Sequence, residues 1–266
     1  MSRVKSFLIS LLCLLALGCS QKERGEHEIY IGTISGPETE LVEVAKKVAA
    51  ERYNLKLTII NFEDYVMPNT ALAEGEIDAN MFQHQPYLDV VLSKQKYAIE
   101  PIGKMFIYPM GIYSKKVKDL ADLHKGAVIG IPNDPSNAAR ALRLLAKAKL
   151  IAIPQNINDL ELTPKKIYAN PHELVIKEIA AAQLPRVLSE VDAAVINTNY
   201  AIPAGLIPHR DALFLEDKNS PYANIVVIRS SDKDKEKYHQ LIQALHSDEV
   251  LAASKRLFAD QAIPAW

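Results

Sequence analysis

Ten residues, Lys104-Met-Phe-Ile-Tyr-Pro-Met-Gly-Ile-Tyr113, are apolar enough for a long strand but carry Pro109 in their middle. Proline cannot donate to a ladder and is poorly tolerated inside a central strand. The segment is therefore expected to leave one sheet and enter another, which splits the chain into two sheet-bearing halves. A second apolar run, Ile225-Val-Val-Ile228, reads as the crossing back.

The first half alternates strand and helix patterns. Ile29 to Ile34 is a strand, Gly36-Pro37 turns into a helix with Leu41, Val44, Ala45, Val48 and Ala49 at helical spacing, and Leu55 to Phe62 is a second strand. Pro68 to Gly75 is a short helix, Glu76 to Ala79 a short strand, and Pro86 suits the first turn of a helix running to about Lys96. This β-α-β-α-β order implies a parallel sheet with right-handed crossovers. A similar series follows the crossing. Ala127 to Pro132 is a strand, Asn133-Asp-Pro-Ser-Asn137 opens a helix through about Lys149, and Asp192 to Asn197 is a buried strand. Ile167 to Ala169 and Leu174 to Ile179 are further candidate strands, and helices are expected near 232–245 and 248–258. Asp232 to Lys237 reads as an exposed helix start.

Arg3 and Lys5 precede an apolar run from Phe7 to Gly18, too short to span a bilayer and suited to the core of a signal peptide. It ends Leu15-Ala-Leu-Gly-Cys19, which is similar to a lipobox, so Cys19 is expected to be the lipidated first residue of the mature chain. Cys13 then leaves with the signal and no disulfide is expected; a chain of 266 residues has core enough without one. A net charge of −1 argues against a nucleic-acid partner.

There is no glycine-rich dinucleotide motif, no phosphate-binding loop and no His-Glu-x-x-His, so no metal, cofactor or catalytic residue is expected. Two strand-to-helix junctions stand out instead. Asn80, Phe82, His84 and Tyr87 fall at the first, the ordinary place for a pocket in α/β folds; the two rings could equally be plain core. At the second, the free N–H groups of a helix start and Arg140 could grip an anion, or the arginine could be an exposed salt-bridge former.

The ordered set of a lipobox, two α/β halves, Asp64-Tyr65-Val66, Asp78-Ala-Asn-Met-Phe-Gln-His-Gln-Pro-Tyr-Leu-Asp89, Val128 to Arg140, Ala194-Val-Ile-Asn-Thr-Asn-Tyr200 and Glu216-Asp-Lys-Asn-Ser-Pro-Tyr-Ala-Asn224 resembles the methionine-binding lipoproteins of ABC importers, the NlpA/MetQ family. The resemblance runs from the lipobox to Trp266. It implies a two-lobed periplasmic-binding-protein fold of type II, each lobe a mainly parallel sheet flanked by helices. The expected divisions are a signal peptide at 1–18, a lipidated tether at 19–28, one lobe of 29–110 plus 225–266, and another of 111–224. It further implies a monomer, anchored through lipid such as palmitate on Cys19 and facing the periplasm or cell exterior. Methionine would bind in the cleft between the lobes and pass to a membrane permease with its ATPase. The thioether would lie against Tyr65 and Phe82, with His84 and Tyr87 alongside. Arg140 would hold the carboxylate, and Asn197 and Asn224 the amino acid's polar end. Asn199 stands where many relatives have threonine, which leaves another amino acid or a short peptide open as ligand. An enzyme without a recognisable motif is the alternative of a different class and would show turnover.

Overall fold

The computed structural model describes residues 25–266, so the signal-like run and Cys19 lie outside the described residues. The first series is β1 (Glu28–Ile34), α1 (Pro37–Tyr53), β2 (Lys56–Phe62), α2 (Pro68–Ala73), β3 (Ala79–His84), α3 (Gln85–Lys94) and β4 (Ile99–Ile107). β1 lies between β2 and β3 and is parallel to both, as helical crossovers require. Leu41, Val42, Ala45, Val48 and Ala49 of α1 bury against Ile29, Ile31 and Leu57, and the helix stops at Asn54 in the left-handed region.

The chain leaves this sheet at Tyr108-Pro109-Met110 and enters a second sheet as β5 (Gly111–Tyr113). There follow β6 (Val128–Pro132), α4 (Pro135–Lys147), β7 (Val175–Ile179), α5 (Leu184–Val187), β8 (Ala193–Ile196), α6 (Thr198–Ala201), α7 (Pro208–Asp211) and β9 (Phe214–Leu215). The chain then returns as β10 (Ala223–Arg229), α8 (Glu236–Leu245), α9 (Asp248–Leu257) and β11 (Ile263–Pro264). The strand orders are β11-β4-β10-β3-β1-β2 and β7-β6-β8-β5-β9. β6 is parallel to β7 and β8, whereas β5 and β10, the strands that follow each crossing, run antiparallel to their neighbours. Both sheets are thus parallel within their β-α series and mixed where the chain crosses.

Four local expectations change. The return crossing is 216–222, because Ile225 to Ile228 lies within β10, hydrogen-bonded between β3 and β4 on both sides. Asn80 to His84 is strand throughout, rather than a junction: Asp78 is engaged just before it, its N–H on the Tyr30 carbonyl and its carboxylate on Arg229. Asp232 is a buried hub joined to Arg229 and Lys235, and the helix after it starts only at Glu236. Ile167 to Ala169 supplies a single bridge, Ala152 to Ala169, instead of a strand.

Candidate ligand-binding site

β3 does not pair evenly with β10. Gln83 faces Ile225 and Met81 faces Val226, so Phe82 is an extra residue, a β-bulge that re-aims the strand beside it. Met81 stays in the core under α1, while Phe82 packs with Tyr65 and Tyr87. The ring centroids of Tyr65, Phe82 and Tyr87 are 5.8 to 5.9 Å apart, and Tyr200 closes on Tyr65 at 5.1 Å. These are tilted and edge-on pairs, the favourable aromatic arrangements.

The polar side starts at the first turn of α3. His84 caps this helix, its Nδ1 accepting from the Tyr87 N–H at 3.2 Å. Burial and the nearby Arg140 charge push the His84 pKa down to about 3, so the ring is neutral and Nε2 carries its hydrogen. That N–H donates to Asn137 Oδ1 at 3.3 Å, which also accepts from Asn197 Nδ2 at 2.9 Å. Asn137 in turn donates through Nδ2 to both oxygens of Asp134, the cap of α4. The relay sets every amide, and it leaves Asn197 Oδ1 buried with no hydrogen bond among the described residues. Tyr65, held protonated by burial, donates to Asn199 Oδ1 at 2.8 Å and leaves Asn199 Nδ2 likewise unpaired. The Tyr108 hydroxyl is a third such group.

Arg140 is 4% exposed, not the surface arginine its helical position allowed. Its Nε donates to Glu216 Oε1 at 3.0 Å, and Nη2 donates to Glu216 Oε2 and to the Tyr108 carbonyl at 2.9 Å. Tyr108 and Glu216 belong to the two crossings, so one guanidinium ties both to α4. The Tyr222 ring lies 4.5 Å beneath it.

Tyr65, Phe82, His84, Tyr87, Arg140, Asn197 and Asn224 all line one cavity, with about 360 Å³ of empty space that is partly open to solvent. Gln83, Tyr108, Asn137, Thr198 and Asn199 complete its wall. The cavity lies at the ends of strands from both sheets, and its lining combines aromatic rings with the unpaired amides of Asn197 and Asn199.

The sequence model of the family described as NlpA lipoprotein matches residues 29–266. The chain belongs to the NlpA lipoprotein family. The D-methionine-binding lipoprotein MetQ of Escherichia coli strain K12 is 44% identical over 255 residues, 95% of this chain and 94% of that protein. A solved nutrient binding protein from Burkholderia cenocepacia, bound to methionine, is 46% identical with a TM-score of 0.87, over 90% of this chain and all of that one. An ABC transporter periplasmic substrate-binding protein from Coxiella burnetii is 56% identical with a TM-score of 0.86, over 89% of this chain. These NlpA-family relatives are named as binding lipoproteins and transport proteins rather than enzymes.

In the sequence Tyr108 marks only a crossing and Asn137 looks like an ordinary first-turn residue, so neither is legible there as a wall residue. Glu38, in contact with Asn224, carried no signal at all: an acidic residue in the first turn of a helix is commonplace.

Proposed function

We propose that this chain is the substrate-binding lipoprotein of an ABC importer, that it binds methionine between lobes 29–110 plus 225–266 and 111–224, and that it hands the amino acid to a membrane permease. A lipid on Cys19 anchors the monomer to a membrane of the cell envelope. The observation that carries the reading is the complement of unpaired buried groups beside the ring cluster. Buried polar groups in proteins nearly always find partners. Here the Asn197 carbonyl is an acceptor for an ammonium, while Asn199 Nδ2 is a donor for a carboxylate. Arg140 adds a positive charge; Nε and Nη2 are engaged, which leaves Nη1 for the ligand. The rings of Tyr65, Phe82 and Tyr87 suit a thioether, whose contact with an aromatic edge is worth about 0.3–1.5 kcal/mol. The methionine in the Burkholderia relative supports the same choice.

Native mass spectrometry and calorimetry on the soluble body test the proposal. Methionine should bind one to one and more tightly than leucine, norleucine or a methionine-containing dipeptide. Tighter binding of a dipeptide or of another amino acid would reassign the ligand, and turnover of any added substrate would reassign the class.

A further inference from the structure

Glu38 sits directly after Gly36-Pro37 in the first turn of α1 and is 1% exposed. Its Oε1 accepts a hydrogen bond from Asn224 Nδ2 at 2.7 Å, and its Oε2 has no partner among the described residues. In this arrangement, the one an ionised carboxylate requires because it only accepts, the Asn224 amide has its NH₂ toward Glu38 and its oxygen left for the cavity that Asn224 lines. The groups that sense Glu38 from the packed elements are phenols: Tyr65 after β2, Tyr108 in the first crossing and Tyr200 in α6. None of the three is a cation, and burial pushes the Glu38 carboxyl up to about 8, against the Asn224 bond. No cation among the described residues offsets the charge of an ionised Glu38, and Asn224, bonded to it, links it to the cavity.

We propose that Glu38 is the positioning residue for a cationic ammonium on the ligand, orienting the Asn224 carbonyl toward it and supplying the negative charge behind that carbonyl. This rests on the amino-acid reading above and narrows it: the site selects α-amino acids over their uncharged analogues. It also couples binding to protons. The acid is raised in the ligand-free protein, so below about pH 8 Glu38 holds a proton there. An ammonium beside it favours the ionised form, so binding releases that proton to the buffer and tightens as pH rises toward about 8. A protonated Glu38 can instead donate to the amide oxygen, which turns NH₂ toward the cavity and against a cation.

Calorimetry of methionine binding at about pH 6.5, well below the raised value, in two buffers of different ionisation enthalpy reads the proton directly. The wild-type protein should release close to one proton. Glu38→Gln should release none and bind methionine on the order of ten- to a hundredfold more weakly, the weight of a hydrogen bond to a charged group. The 2-hydroxy analogue of methionine, which lacks the ammonium, should bind the wild type and the variant alike. Methionine binding by the wild type without proton release would overturn the assignment, with no variant needed. So would equal losses of both ligands in Glu38→Gln, which would make the residue merely structural. No methionine binding by the wild type would overturn the amino-acid reading itself, and this assignment with it.

Discussion

Arg140 is built into the architecture, and the proposed function gives it the ligand carboxylate as well. Its guanidinium joins both crossings through Tyr108 and Glu216, so its removal strands a carboxylate that is almost buried. Breaking one partner of such a pair costs about 3–5 kcal/mol. Arg140→Ala should therefore destabilise the fold measurably in thermal or urea melts. It should also weaken methionine binding by at least about 2 kcal/mol, a factor of roughly 25 or more. Arg140→Lys should recover only part of either loss, since an ammonium cannot reproduce the fork on Glu216. Arg143, one turn along α4, bonds Asp159 and the Ile157 carbonyl and is about a third exposed. Arg143→Ala should cost less than about 1 kcal/mol of stability and leave affinity within a few-fold. Equal effects of the two on affinity would sink the carboxylate role of Arg140.

At the scale of elements, the site depends on two local departures from regular structure. One is the bulge at Phe82, which sends Phe82 to the ring cluster while Met81 stays in the core. The other is Gly36, whose φ of 137° turns β1 into α1 and sets Glu38 beneath Asn224. A side chain there would be strained and would also sit 3.2 Å from Pro203 and 3.5 Å from the Asn199 carbonyl. Gly36→Ala should lower stability by about 1–3 kcal/mol, the usual cost of a residue forced into such backbone. It should weaken methionine binding as well, because the helix start that carries Glu38 must shift and the Pro203 ring must give way. Calorimetry that found stability lowered and affinity untouched would show that the α1 start has no part in the site.

For the whole molecule, the relevant contacts are those joining the two sheet-bearing halves. Tyr65 reaches Asn199, His84 reaches Asn137, and the Tyr200 hydroxyl donates to the Glu63 carbonyl at 3.4 Å. A ligand that touched both sides would add to these bonds. By population shift, methionine should favour the closed arrangement over a more open one. Small-angle scattering should give a slightly smaller radius of gyration with saturating methionine than without. An unchanged value would mean that the halves are already locked and that exchange of ligand needs another route.

The sequence by itself determined most of the order of strands and helices, the division into two sheets and the neighbourhood of the pocket. Those follow from local physics: apolar period, a proline that no central strand accepts, and glycine or asparagine where helices stop. It also named Tyr65, Phe82, His84, Tyr87, Arg140, Asn197 and Asn224, through a resemblance carried by long ordered motifs, and all seven meet at one cavity. Only the tertiary structure decided what those residues hold. That Arg140 binds Glu216, that Asn137 relays His84 to Asn197, and that Glu38 lies against Asn224 are contacts between residues 76, 53, 60 and 186 positions apart. Hydrogen-bond direction and burial at that separation depend on how two sheets meet, and no local pattern records it. The return crossing was misplaced for the same reason: Ile225 to Ile228 has the composition of any buried strand, and only its two neighbours, β3 and β4, show to which sheet it belongs.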